Sequence, residues 1–172
     1  MEKKTKLINI VILYGILFAL LLIIYILMSA NIKSEGALSN VLGLILLVLF
    51  VLIPFFAVRT YKDQIENIGL GQAVKVGVWV GLAGGFLGGL YAIGYYKFIN
   101  PDMAEQLLQI SRERFEKMEK NTYPEYVDEQ MEMVRNLFIP MQLIARLFIG
   151  LLFGAIGGVI GGLVYKSDSQ EY

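Results

Sequence analysis

GVWVGLAGGFLGG at residues 77–89 and GLLFGAIGGVIGG at residues 150–162 place glycine at the same offsets: 0, 4, 7, 8, 11 and 12. The first copy holds Gly77, Gly81, Gly84, Gly85, Gly88 and Gly89; the second holds Gly150, Gly154, Gly157, Gly158, Gly161 and Gly162. Each copy lies in an apolar run long enough to cross a bilayer core as a helix. Small residues at helical spacing let membrane helices approach closely, so these twelve of eighteen glycines predict helix-packing faces.

The rest of the chain agrees with that reading. Hydrophobic side chains make up 56% of the 172 residues, more than a soluble domain of this length can bury in one core. Four spans are predicted, at about residues 7–28, 41–58, 73–98 and 140–165. The first follows Lys3, Lys4 and Lys6, but it exceeds the roughly 7–15 apolar residues of a cleavable signal segment and reads as a retained span. Pro54 predicts a kink near the end of the second. The fold class expected is all-α: an integral membrane four-helix bundle.

Lys3, Lys4 and Lys6, then Arg59, Lys62 and Lys75, then Lys166, fall on one side of these spans, whereas the short connection at residues 31–40 carries only Lys33. Positive charge marks the cytoplasmic side, so both termini are expected inside. The third and fourth spans are then antiparallel. Taking Lys75 and Lys166 as a common edge sets Gly77 beside Gly162 and Gly89 beside Gly150.

Residues 100–139 predict an extracytoplasmic amphipathic helical hairpin between the third and fourth spans. Asn100, Pro101 and Asp102 form a helix start: a cap, a proline in the first turn and a carboxylate at the positive dipole end. Met103, Leu107, Leu108, Phe115 and Met118 give that helix an apolar stripe. After a turn at residues 121–123, Pro124 opens a second helix striped by Val127, Met131, Val134 and Phe138. The acids Glu125, Asp128, Glu129 and Glu132 have Arg112, Arg114, Lys117, Lys120 and Arg135 nearby, which predicts a salt-bridged surface rather than a metal or acid/base site.

Chemistry is sparse. Fifteen basic and fifteen acidic residues balance, so no nucleic-acid surface is indicated. Without cysteine or histidine the chain lacks thiolate nucleophiles and the commonest general base and transition-metal ligand. GLGQAVKVG at residues 69–77 lacks the spacing of a phosphate loop and reads as the lead-in to the third span. No catalytic residue, metal or cofactor is expected. Arg146 is the charge that falls well within a predicted span, about 9 Å of helix rise past Pro140. It is a candidate contact for an anion or a lipid headgroup, or a partner for Glu132. Lys97, beside Tyr91, Tyr95 and Tyr96, is a second candidate that also reads as an interfacial anchor.

GQAVKVG, YYKFINPD, EYVDEQMEMVRN and the glycine-rich last span resemble a bacterial membrane-protein family catalogued as domain of unknown function four-one-nine-nine, mainly over residues 71–165. The resemblance implies a multi-pass protein of the bacterial inner membrane, without established activity. It also implies an accessory role beside a membrane glycosyltransferase. The expected function is therefore non-enzymatic: an interaction or accessory subunit, or a homo-oligomer built on the glycine-striped helices. The expected partners are the lipid bilayer and another membrane protein or a second copy. The alternative is a small transporter, flippase or channel for an anionic or lipid-linked molecule that uses Arg146.

Overall fold

The computed structural model describes residues 2–31, 37–65, 67–118 and 124–165, with backbone alone at 2–5, 30–31, 37–40, 118 and 124–126. Lys33, Lys120, Lys166, the turn at 121–123 and the side chains of Lys3, Lys4, Met118 and Glu125 lie outside the described residues. The described residues fold into five α-helices: α1 (Glu2–Asn31), α2 (Ala37–Lys62), α3 (Leu70–Gly94), α4 (Pro101–Met118) and α5 (Pro124–Tyr165). A π-helical turn, Tyr95–Ile99, joins α3 to α4. Four of the helices, α1, α2, α3 with its π turn, and α5, are long and apolar enough to cross a membrane.

Two boundaries differ from expectation. α2, with Pro54 inside it as expected, continues past Val58 to Lys62, and Pro140 lies inside α5, which runs unbroken for 42 residues. At 1.5 Å per residue α5 is about 63 Å long, roughly twice a hydrocarbon core. The predicted second hairpin helix and the last span are therefore one rod. The start of α4 is as expected: the Asn100 side chain accepts a bond from the Met103 amide at 3.2 Å.

The bundle is organised by its glycines. Gly77, Gly81, Gly85 and Gly89 face α5, where a Cβ on Gly81 would strike the Gly150 carbonyl and one on Gly77 the Gly154 carbonyl. Gly150, Gly154, Gly158 and Gly162 face α3 in return. The register is Gly77 against Gly154 and Gly158, not Gly162, a slip of eight residues or about 12 Å from the charge-based alignment. Gly162 instead meets Leu70 and Ala73, while Gly89 meets Leu143 and Arg146. The remaining four glycines are each one residue before a member of the first row, about 100° around the helix. They admit different neighbours: Gly84 and Gly88 take Phe18 and Leu22 of α1, and Gly157 and Gly161 take Pro54 and Val58 of α2. All twelve are buried.

These contacts carry a two-fold correspondence. Gly84 meets Gly15 and Phe18, whereas Gly157 meets Val51 and Pro54; Gly88 meets Leu22, whereas Gly161 meets Val58. Gly85 meets Arg146 and Leu147 as Gly158 meets Ala73 and Val74. Advancing α1 by 36 positions and α3 by 73 turns one set into the other. The α1–α3 pair and the α2–α5 pair therefore pack alike and run in opposite directions, the geometry of an inverted repeat.

Candidate anion site at Arg146

Arg146 lies at the seam that the glycines create. A Cβ on Gly85 would come within 2.5 Å of the Arg146 carbonyl, so the glycine lets the α5 backbone sit against α3 at this level. Pressed in this way, Arg146 sends its side chain toward the crevice where α1, α2 and α5 converge. A cavity of about 250 Å³ opens there. Its walls are Leu22 and Tyr25 of α1, Gly43, Leu46, Leu47 and Phe50 of α2, and Ile149 and Phe153 beside Arg146 on α5.

The wall is apolar: Phe50 stacks on Phe153 with ring centroids 5.5 Å apart and is backed by the tilted ring of Phe18 at 5.2 Å. The Arg146 Nε is buried and makes no hydrogen bond. Among the described residues no carboxylate lies within 4 Å of its guanidinium. A buried cationic donor without a partner costs more than an ordinary hydrogen bond contributes. An anion carried on an apolar body satisfies both features of the site.

Glu132 is not the partner. It shares α5 with Arg146, fourteen residues away, about 21 Å along a continuous helix. It lines instead a cleft of about 370 Å³ between α4 and α5. Arg112 binds Asp128 there at 2.6 Å and Glu116 at 3.0 Å, and Arg135 binds Glu105 at 3.2 Å. The hydrogen bond to Glu116, followed by the charge of Asp128, raises the Arg112 pKa above its ordinary value, so it stays cationic. These exposed pairs match the salt-bridged surface expected, and solvent screening leaves each of them contributing little to stability. Among the described residues no group of three or more potential ligands could hold a metal ion.

Lys97 is not brought to Arg146. It is exposed in the π turn, with Nζ 5.5 Å from the centre of the Phe98 ring. Its neighbours turn inward: Tyr95 and Tyr96 are buried with Ile26 and Ala92, and the Tyr96 ring meets Phe138 edge-on at 5.6 Å. The π turn closes with the Asn100 amide bonded to the Tyr95 carbonyl at 2.8 Å. This cluster, which also takes in Met103 and Leu107, fixes the base of α4 to the bundle.

The residues that sequence reasoning missed are Tyr25, Gly43 and Phe50. They stand on the first two spans, where uniform apolarity hides which face meets which neighbour. Gly43 carried a signal, a glycine outside either stripe, but its meaning needed the packing partner.

No curated protein and no solved structure matches the chain. Residues 11–167 match the model of a family, extending into the first two spans the resemblance expected mainly over residues 71–165. That match takes in most of the chain, which therefore belongs to the family described as protein of unknown function (DUF4199).

Proposed function

We propose that this is a non-enzymatic multi-pass protein of the bacterial inner membrane, and that its bundle binds an anionic or lipid-linked molecule at Arg146. Both termini are cytoplasmic in this reading, and α4 with the adjoining part of α5 stands on the outer side. The observation that carries it is the buried, unbonded Nε of Arg146 at the edge of an apolar cavity. Ionisable groups held within a membrane mark binding sites or pathways. The glycine stripes act as an internal zipper that holds Arg146 in place, not as a surface for a second copy. Binding is favoured over transport because the equivalent position at the other end of the bundle is packed with side chains.

The test is retention of anionic lipid by the purified full-length protein, with wild type compared against Arg146→Ala. Wild type is expected to retain it and the variant to lose it. Equal retention would end this reading.

A second reading, accessory subunit to another membrane protein such as a glycosyltransferase, is favoured by the long α5. The part of that rod beyond the bundle exposes Met133 and Leu137 at 55% and 52%. Mass measurement after mild-detergent extraction tests it: a strict monomer with nothing bound counts against both an accessory role and a homo-oligomer.

A further inference from the structure

We infer that the cavity at Arg146 is a lipid site, taking one phosphate-headed lipid from the bilayer with its phosphate on the guanidinium and one acyl chain between α1 and α2. This rests on Arg146 as the anion contact and adds the nature of what it binds. The evidence is the comparison that the two-fold correspondence permits. Each of the nine residues around the cavity has an equivalent, and all nine equivalents lie in the packed cluster at the opposite end. Two exchanges matter most: Gly43 stands where the other end has Leu7, and Arg146 stands where it has Ala73. Tyr25 and its equivalent Tyr61 show the consequence, the first 42% exposed and the second 8%. The same backbone packing is thus filled at one end and hollow at the other, and the hollow end carries the charge.

An empty apolar crevice forfeits dispersion contacts along its whole wall, so one facing a bilayer is filled from that bilayer. The crevice is open toward lipid, with Leu47 49% exposed beside Tyr25. A Cβ on Gly43 would meet nothing within 4 Å, so the space is present without any rearrangement. A helix of about 10–12 Å diameter cannot enter 250 Å³, whereas a single extended chain can. A free phosphate would satisfy Arg146 and leave the walls at Leu22, Leu46 and Phe50 bare. A phosphate on a lipid satisfies both.

The experiment measures binding by native mass spectrometry of the full-length protein in detergent, with three probes. Dioleoyl phosphatidic acid offers phosphate and chains, dioleoylglycerol chains alone, and inorganic phosphate the anion alone. Wild type is expected to bind phosphatidic acid at least about tenfold more tightly than either other probe, the scale of one charge-assisted pair. Arg146→Ala should remove the preference over dioleoylglycerol. Gly43→Leu, which installs the residue of the filled end, should reduce phosphatidic acid to the level of inorganic phosphate. Gly43→Ala, a single methyl placed in open space, gives a smaller loss and serves if leucine unfolds the bundle. If Arg146→Ala loses phosphatidic acid while both Gly43 variants keep it, the anion site stands and the chain placement is wrong. Inorganic phosphate binding wild type as tightly as phosphatidic acid overturns the lipid in the same way. Wild-type binding by Arg146→Ala overturns the lipid and the anion site together.

Discussion

The two ends of this bundle have the same skeleton and opposite contents. At one end Ile10, Val58, Tyr61, Val76 and Val80 close into a core around Ala73. At the other, Leu46, Leu22, Tyr25, Ile149 and Phe153 stand around a cavity with Arg146 at its edge. Backbone geometry cannot account for the difference, because the glycine contacts on either side correspond position by position. Side-chain choice does. An inverted arrangement fixes the frame, and a few substitutions within it decide which end is structural and which can bind.

The largest effect is expected where the comparison is broken by destroying what both ends share. Gly81→Leu and Gly158→Leu each drive a side chain into the α3–α5 seam, where even a methyl meets backbone. Helices held by close backbone approach cannot absorb that without separating. Each should cost about 3 kcal/mol or more, above the usual range for an overpacked core, as measured by reversible unfolding in mixed micelles. If both variants unfold like wild type, the stripes do not face each other and the correspondence fails with them.

A smaller effect separates the ends. Ile10 and Leu46 are equivalent positions, 3% and 8% exposed. Truncation of either to Ala removes a comparable apolar mass. At the filled end Ile10→Ala leaves a void, and the packing part of the usual cost remains, about 1–3 kcal/mol, since lipid is no worse a solvent for the lost methyls. At the open end Leu46→Ala only enlarges a cavity that lipid already reaches, so its cost should be less than half as large. Equal costs in the same unfolding assay would mean that the cavity is as tightly closed as its counterpart.

Much of this frame was legible in the sequence. Span number, helix type and the antiparallel facing of the two stripes follow from apolar length and glycine spacing. The register did not follow, because charges at span ends report the headgroup level while Leu70, Ala73, Leu143 and Arg146 extend the seam beyond the glycines. Nor did the division of labour within each stripe. Gly84 and Gly85 are neighbours in sequence, yet one admits α1 and the other α5, since consecutive residues point about 100° apart. Arg146 was visible as a charge in an apolar run. Its lack of a partner was not, because a chain broken at Pro140 would bring Glu132 near it, whereas α5 runs straight through Pro140.

The smallest predicted effect tests whether packing or a polar bond closes the filled end. Tyr14 there shares a hydrogen bond of 2.7 Å with Thr60. Its equivalent at the open end is Phe50, which has no hydroxyl. Tyr14→Phe gives the filled end the ring of the open one and leaves Thr60 without that partner. Hydrogen bonds between membrane helices average about 0.6 kcal/mol, because the unfolded chain in lipid finds other partners. The variant should therefore lose about 0.5–1 kcal/mol, and Thr60→Val combined with it should cost little more, since the bond is already gone. Should Tyr14→Phe instead destabilise as much as Ile10→Ala, the filled end is held by a polar latch. The contrast between the ends would then be one of bonding, and Gly43→Leu alone would not convert one into the other.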